Sequence, residues 1–228
     1  IGREMKLTWY GHASFRIESS NGKTIVTDPY DPDTSGYKSF TEPADLVVIS
    51  SATDSFHCNA HLIPGIPTII DALEIAQNGG ERTELGIRFE AIEAMEALNH
   101  RYHDPDQNAM YRLNVDGLNI GHLGDVGNAL SKSQLEFFEN TDILLALAGG
   151  HPTIELDDLK RVINETAPRI VIPMHFRTLR YKPRNSLWID SFLALFPNEQ
   201  IDFAFESNVT LTKDNLPAET RILVMDYC

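Results

Sequence analysis

The chain has 228 residues and a hydrophobic fraction of 42%, which predict one globular domain over residues 1–228 with a substantial core. Its 19 basic and 33 acidic side chains give a net charge of −14, and a field of that sign repels phosphate backbones and anionic lipids. We therefore expect no nucleic-acid partner and no membrane partner. No apolar run is long enough to span a bilayer, and the charged N-terminal residues do not resemble a signal peptide. Two cysteines are too few for a disulfide framework, which favours a cytoplasmic protein.

The N-terminal part of the chain predicts a series of short strands. Runs rich in aromatic and β-branched residues lie at 6–10, 14–18 and 24–27. Asn21-Gly22 favours a hairpin turn between the second and third runs, because both residue types tolerate positive φ. The apolar run at 45–50 (DLVVIS) is typical of a strand buried on both faces.

The rest of the chain alternates between strand and helix patterns. Ser131 and Gln134 form a capping-box pattern, and Thr153 is expected to cap a helix that ends before Pro168. A further helix is predicted at 186–195. The remaining predicted strands are 68–70, 87–92, 110–115, 118–123, 170–173, 201–205, 209–212 and 221–224. This order predicts an α/β fold in which two mixed sheets pack face to face between helices.

Four passages resemble the metallo-β-lactamase superfamily, and within it the small metal-dependent hydrolases related to ascorbate-6-phosphate lactonase. They occur in the order found in that family and span most of the chain. The resemblance implies a four-layer αββα sandwich. The passages are 7–15 (LTWYGHASF) with 24–29 (TIVTDP), 44–50 (ADLVVIS) with 61–67 (HLIPGIP), 116–127 (DGLNIGHLGDVG), and 149–153 (GGHPT) with 170–176 (IVIPMHF).

The loop after the ADLVVIS strand departs from the family pattern. In that family it reads His-x-His-x-Asp-His, and these side chains are good ligands for zinc and similar ions. Here Ser51 and Thr53 stand at the first two histidine positions, and Ser55 and Phe56 stand at the aspartate and last histidine positions. Hydroxyl groups are poor zinc ligands and a phenyl ring is none, so we expect a remodelled and weakened metal site.

The resemblance still implies some metal ligands. Asp125 matches the bridging carboxylate of the family, and His175 matches a histidine ligand. Glu96 falls where the family has another histidine, and His103 or His100 in the adjacent loop could approach the same pocket. We predict one divalent ion (zinc, manganese or iron) held by Asp125, His175, Glu96 and His103, with Asp125 as the catalytic residue.

Three further histidines are expected to lie behind the ligands and orient them. They are His12, His57 and His122; His57 could also replace a lost ligand after a local shift of the loop. Asp54 is expected to turn its own loop. The basic residues Arg177, Arg180, Lys182 and Arg184 could meet a small anionic substrate, but a solvated loop is the interpretation that we favour.

Two functions follow from this pattern. The first is a metal-dependent hydrolase of a small-molecule ester, lactone or phosphate ester, acting at the remodelled site. The alternative is a catalytically inactive member of the fold that acts as a binding or assembly subunit and needs no metal. Assembly into a homo-oligomer is compatible with both functions.

Overall fold

The computed structural model describes residues 2–100 and 104–228, in which two mixed sheets pack face to face. The strands are β1 (Met5–Gly11), β2 (Ser14–Glu18), β3 (Thr24–Thr27), β4 (Leu46–Ile49), β5 (Thr68–Asp71), β6 (Glu81–Glu84), β7 (Ile87–Met95), β8 (Gln107–Val115), β9 (Leu118–His122), β10 (Ile143–Leu147), β11 (Ile170–Met174), β12 (Ile201–Phe203), β13 (Asn208–Leu211) and β14 (Arg221–Val224). The helices are α1 (Pro32–Ser35), α2 (Ala72–Gln77), α3 (Lys132–Phe137), α4 (Leu156–Thr166) and α5 (Ile189–Leu193). The predicted α/β fold, a four-layer αββα sandwich, is confirmed.

The first sheet has six strands in the order β13-β1-β2-β3-β4-β5. β1, β2 and β3 pair antiparallel, whereas β3, β4 and β5 pair parallel. The predicted hairpin between β2 and β3 is confirmed: the Ser19 amide donates to the Lys23 carbonyl at 2.9 Å, and Gly22 supplies the positive φ of the turn. β4 is fully buried, as its continuous apolar run indicated.

The second sheet has eight strands in the order β12-β14-β11-β10-β9-β8-β7-β6. β9, β10, β11 and β14 run parallel, so their carboxyl ends meet at one edge of the sheet. Asp125 and His175 follow two of these ends, which brings residues 50 positions apart in the sequence to the same edge. Loops at the carboxyl ends of parallel strands are the usual place for ligand sites.

Aromatic residues of both sheets form the core between them. Trp9 and Phe15 come from the first sheet, and Phe89 and Tyr111 come from the second; all four are almost fully buried. Trp9 also packs on Phe176, with ring centroids 5.2 Å apart, and so joins β1 to the segment after β11. Each such side chain contributes about 1.5–3 kcal/mol by burial, and together they fix how the sheets face each other.

Two backbone hydrogen bonds join the sheets where the carboxyl ends meet. The amide of Ala109 on β8 donates to the carbonyl of Ser50 at the end of β4, at 2.9 Å. The His175 amide donates to the His12 carbonyl at 3.1 Å, which ties the end of β11 to the turn between β1 and β2. The loops that carry the candidate site are therefore held against each other by the backbone itself.

The helices agree less well with the sequence patterns than the strands do. The capping box of Ser131 and Gln134 at the start of α3 is confirmed. The prediction that Thr153 caps α4 is wrong, because its hydroxyl donates to the Gly150 carbonyl at 2.8 Å and the helix begins only at Leu156. α5 is shorter than the predicted span of 186–195. No helix in the described ranges is long and apolar enough to cross a membrane.

Candidate metal centre

A buried carboxylate, Asp28, organises the base of the candidate site. Its oxygens accept hydrogen bonds from the amide and hydroxyl of Ser50, at 2.9 and 2.5 Å, and from the Tyr111 hydroxyl at 3.2 Å. Its Oδ2 also lies 2.7 Å from Nδ1 of His57. Burial alone would raise the pKa of Asp28, but the histidines His122 and His57 and these hydrogen bonds hold it below its usual value. Asp28 is therefore an ionised carboxylate that joins β3, β4 and β8 to the loop after β4.

His57 is the ring that Asp28 orients. Because Nδ1 faces Asp28, only Nε2 is free to face the cavity, where it lies 3.5 Å from Oδ1 of Asp125. The side chain is fully buried, and Nε2 has no hydrogen-bond partner among the described residues. Burial would lower the pKa of His57, but the carboxylates of Asp125, Asp28 and Asp54 outweigh burial and raise it well above its ordinary value.

Asp125 and His175 face His57 from the second sheet. Nε2 of His175 lies 3.4 Å from the same Oδ1 of Asp125 that His57 approaches. Burial would raise the pKa of Asp125, but the two histidines hold it well below its usual range. His175 has a φ of 57°, in the left-handed region that costs energy for a residue with a side chain. The two predicted ligands therefore converge, and His57 joins them as a third donor.

Asp54 approaches the same cluster from the loop after β4. One carboxylate oxygen of Asp54, one ring nitrogen of His57 and one oxygen of Asp125 lie within 4.8 Å of one another. Asp54 also accepts a hydrogen bond from the Phe56 amide at 2.7 Å, which confirms that it turns its own loop. Burial raises its pKa to about 6, with His57 opposing the shift and Asp125 adding to it.

The loop after β4 therefore differs from the register inferred by spacing. Ser55 and Phe56 were placed at the aspartate and last histidine positions, but Asp54 and His57 are the residues that face Asp125. The two side chains that lie near Asp125 therefore come one residue before and one residue after the positions inferred by spacing. The Phe56 ring instead packs beside His12, with ring centroids 5.4 Å apart.

His12 lies on the other side of His57 and His175. One ring nitrogen from each of these three histidines lies within 4.8 Å of the others, and all three residues are buried. The His12 and His175 ring centroids are 3.7 Å apart. His12 is held there with a φ of 50°, again in the left-handed region.

His122 lies beside the candidate site and makes hydrogen bonds to the backbone with both ring nitrogens. Its Nε2 lies 2.9 Å from the Ala13 carbonyl, and its Nδ1 accepts a hydrogen bond from the Gly124 amide at 3.0 Å. Both ring nitrogens are used, so His122 braces the turn before Asp125 and has no nitrogen left for a ligand.

Glu96 is a predicted ligand whose carboxylate takes a different partner in the described structure. Glu96 lines the same cavity, but its Oε2 accepts a hydrogen bond from the Asp106 amide at 3.1 Å, and it belongs to neither of the donor groups found in the described residues. A metal-binding role for Glu96 stays a prediction. His103 lies outside the described residues.

The donors fit a divalent ion on their own chemistry. Three imidazoles and two carboxylates converge, and nitrogens of His12, His57 and His175 are buried with no hydrogen-bond partner in the described structure. Burying a polar atom without a partner costs about 1–3 kcal/mol, so such atoms are rare unless an ion or water satisfies them. Mixed imidazole and carboxylate sets suit zinc, manganese and iron.

The cavity above these donors measures about 430 Å³. Phe56 and Tyr181 provide aromatic walls, and Glu96 and Asp106 add carboxylates beyond Asp54 and Asp125. None of the described lining residues is a lysine or arginine. Tyr181, Pro183 and Asn185 line the cavity, whereas the basic residues between them do not: Lys182 donates to the Asp33 carbonyl at 2.6 Å. This placement favours the solvated-loop interpretation of the basic cluster.

The fold and this site define a member of the metallo-β-lactamase class. The family described as the beta-lactamase superfamily domain matches residues 6–175, and the chain belongs to that family. The resemblance inferred from the sequence is confirmed.

Several similar proteins are described as metal-dependent hydrolases. A crystal structure of a proposed Zn-dependent hydrolase of the metallo-beta-lactamase superfamily from Thermotoga maritima is 31% identical, with a TM-score of 0.75 over 98% of this chain and 100% of that one. A UPF0173 metal-dependent hydrolase from Thermoplasma acidophilum is 26% identical over 76% of this chain and 84% of its own length. One from Pelotomaculum thermopropionicum is 26% identical over 76% and 85%.

Proposed function

We propose that this protein is a metal-dependent hydrolase with a single-ion centre held by Asp54, His57, Asp125 and His175. The observation that carries the proposal is the approach of two buried histidines to the same oxygen of Asp125, at 3.5 and 3.4 Å. The names of the relatives support it, since several are described as metal-dependent hydrolases. A cytoplasmic location is part of the proposal, and the free thiols of Cys58 and Cys228 support it.

One ion rather than two is proposed because hydroxyl residues replace two histidines of the family's ligand set. Ser51 and Thr53 stand where the family has two histidines. The Ser51 hydroxyl accepts hydrogen bonds from the amides of Thr53 and Asp54, at 3.3 and 3.2 Å, so it serves the turn of its own loop. The Thr53 hydroxyl donates to Asp106 at 3.1 Å. These hydroxyls offer nothing equivalent to the lost imidazoles.

The bound ion and the residues around it would have different roles in hydrolysis. A bound divalent ion would supply polarisation of a substrate oxygen and acidification of a water. Asp28 fixes the ring of His57 so that Nε2 faces the cavity, the arrangement that raises the basicity of a ligating imidazole. Phe56 and Tyr181 line the cavity with aromatic rings, and the lower local dielectric beside such rings would strengthen electrostatic interactions there.

The cavity favours a neutral ester or lactone over a phosphate ester. Its described lining carries four carboxylates, and the whole chain has a net charge of −14. Two of those carboxylates, Glu96 and Asp106, lie outside the four proposed ligands, so metal binding does not neutralise them. A phosphate dianion would meet repulsion from these two carboxylates, and no lysine or arginine among the described lining residues offsets it.

Hydrolysis of neutral and anionic substrates, compared side by side, tests this proposal. We expect the zinc- or manganese-loaded protein to hydrolyse p-nitrophenyl acetate and a simple lactone, and to leave p-nitrophenyl phosphate unchanged. Turnover should disappear when the ion is removed with a chelator and return when it is restored. Folded, metal-loaded protein that hydrolyses none of a broad ester, lactone and phosphate panel would instead support the inactive binding or assembly subunit.

Metal binding should weaken as the pH falls. In the metal-free protein the raised pKa of His57 means that both ring nitrogens carry a proton at neutral pH, and the proton on Nε2 must leave before that nitrogen can bind an ion. Below about pH 6, Asp54 holds a second proton. The affinity should fall about tenfold per pH unit for each proton displaced, and more steeply below the pKa of Asp54.

Competition titration with a chromogenic chelator, repeated at pH values above and below the pKa of Asp54, measures how steeply the metal affinity changes with pH. In the variant Asp54→Asn the extra steepness at low pH should vanish while the dependence caused by His57 remains. An affinity that does not change with pH would contradict the assignment of His57 as a ligand.

A further inference from the structure

We infer that His12 is a direct ligand of the metal ion, an assignment that rests on the proposed function and adds a third imidazole to the centre. From the sequence alone, His12 is expected to lie behind the ligands. The ring nitrogens of His12, its backbone conformation and its distances to the neighbouring histidines instead support direct binding of the metal ion.

The ring nitrogens of His12 have no partner in the described structure. Nδ1 and Nε2 are both buried and neither makes a hydrogen bond. His122, by comparison, is equally buried and uses both of its nitrogens in hydrogen bonds to the backbone. A histidine that orients a ligand would need a hydrogen bond to that ligand, and His12 makes none.

The backbone places His12 beside the other ligands at some cost. Its φ of 50° lies in the left-handed region, and the preceding Gly11 has a φ of 133°. The His12 carbonyl accepts hydrogen bonds from the Trp9 indole and from the His175 amide, both at 3.1 Å. Strain of this kind persists only where the surroundings enforce it, and here they enforce the approach of the His12 ring to His175.

The distances are those of a group that can share one ion. Ring nitrogens of His12, His57 and His175 lie mutually within 4.8 Å, and the second donor group, with Asp54 and Asp125, shares His57. Only Nε2 of His57 can bind, because Nδ1 faces Asp28, so both groups must serve the same ion. Ser51 and Thr53 replace two histidines of the family. His12, in the turn between β1 and β2, supplies an imidazole that partly makes up for those two.

X-ray absorption spectroscopy of the zinc-loaded protein tests the assignment, because imidazole ligands can be counted from their scattering. We expect three imidazoles in the wild type and two in His12→Asn, chosen because asparagine tolerates the left-handed conformation. The zinc dissociation constant of this variant should rise at least about tenfold. His61→Asn changes an exposed histidine that belongs to neither donor group of the described residues, and it should keep all three imidazoles and the wild-type affinity.

The outcomes separate the two proposals. Two imidazoles in the wild-type spectrum, or unchanged zinc binding by folded His12→Asn, would overturn the role of His12 while leaving the single-ion hydrolase in place. A wild-type protein that binds no ion would overturn both. The wild-type spectrum decides even if His12→Asn does not fold, which circular dichroism reports.

Discussion

Asp125→Asn is expected to abolish tight metal binding and, with it, hydrolysis. Asp125 is the carboxylate that both His57 and His175 approach, at 3.5 and 3.4 Å. An amide cannot supply the negative charge that holds a divalent ion between two imidazoles. Loss of a group that merely orients a ligand costs about 10–100-fold in affinity, so loss of this ligand should exceed about 100-fold. Isothermal titration with zinc measures the change.

Asp106→Asn is the matched control for this experiment. Asp106 also lines the cavity, but it belongs to neither donor group of the described residues and its Oδ2 is engaged by the Thr53 hydroxyl. We expect this variant to bind zinc with nearly wild-type affinity. If both variants bind zinc equally well, the ion does not lie between His57 and His175.

Asp28→Asn is expected to lower the free energy of unfolding by about 3–5 kcal/mol, the cost of breaking a buried ionic group away from its partners. Asp28 is fully buried and accepts hydrogen bonds from Ser50 and Tyr111 while facing Nδ1 of His57. The amide nitrogen of asparagine would point a donor at groups that are themselves donors. Urea unfolding of the metal-free protein at neutral pH measures this loss.

Asp116→Asn provides a close comparison on the surface. Asp28 and Asp116 both have a positive φ, of 36° and 55°. Like Asp28, Asp116 accepts hydrogen bonds from a serine amide and hydroxyl, those of Ser20 at 2.6 and 2.7 Å. Because that pair is exposed to solvent, we expect a loss of about 1 kcal/mol or less. Equal losses in the two variants would show that Asp28 does not organise the base of the site.

The strands of this fold could be predicted closely because their signals are local. The runs at 14–18, 24–27 and 221–224 match β2, β3 and β14 residue for residue. β10, in contrast, was missed although its five residues, Ile143–Leu147, are all apolar and buried. A short apolar run of this kind is a usable signal for a strand in the middle of a parallel sheet.

The candidate site was only partly predictable, because its geometry depends on contacts that spacing does not record. Asp125 and His175 follow predicted strands and could be assigned from the resemblance. Spacing assigned the family positions to Ser55 and Phe56, whereas Asp54 and His57, the residues on either side of them, are the ones that lie near Asp125. The position of His12 depends on its backbone bond to His175, which is 163 residues away in the sequence.

The number of metal ions bound per chain tests the central claim most directly. Native mass spectrometry of the zinc-loaded protein, after removal of excess zinc, counts the ions on each folded chain. A single ion, lost in Asp125→Asn and kept in Asp106→Asn, is the predicted result. Two ions would mean that the hydroxyl-bearing loop after β4 still completes a dinuclear centre, and none would mean that the buried donors do not form a metal centre at all.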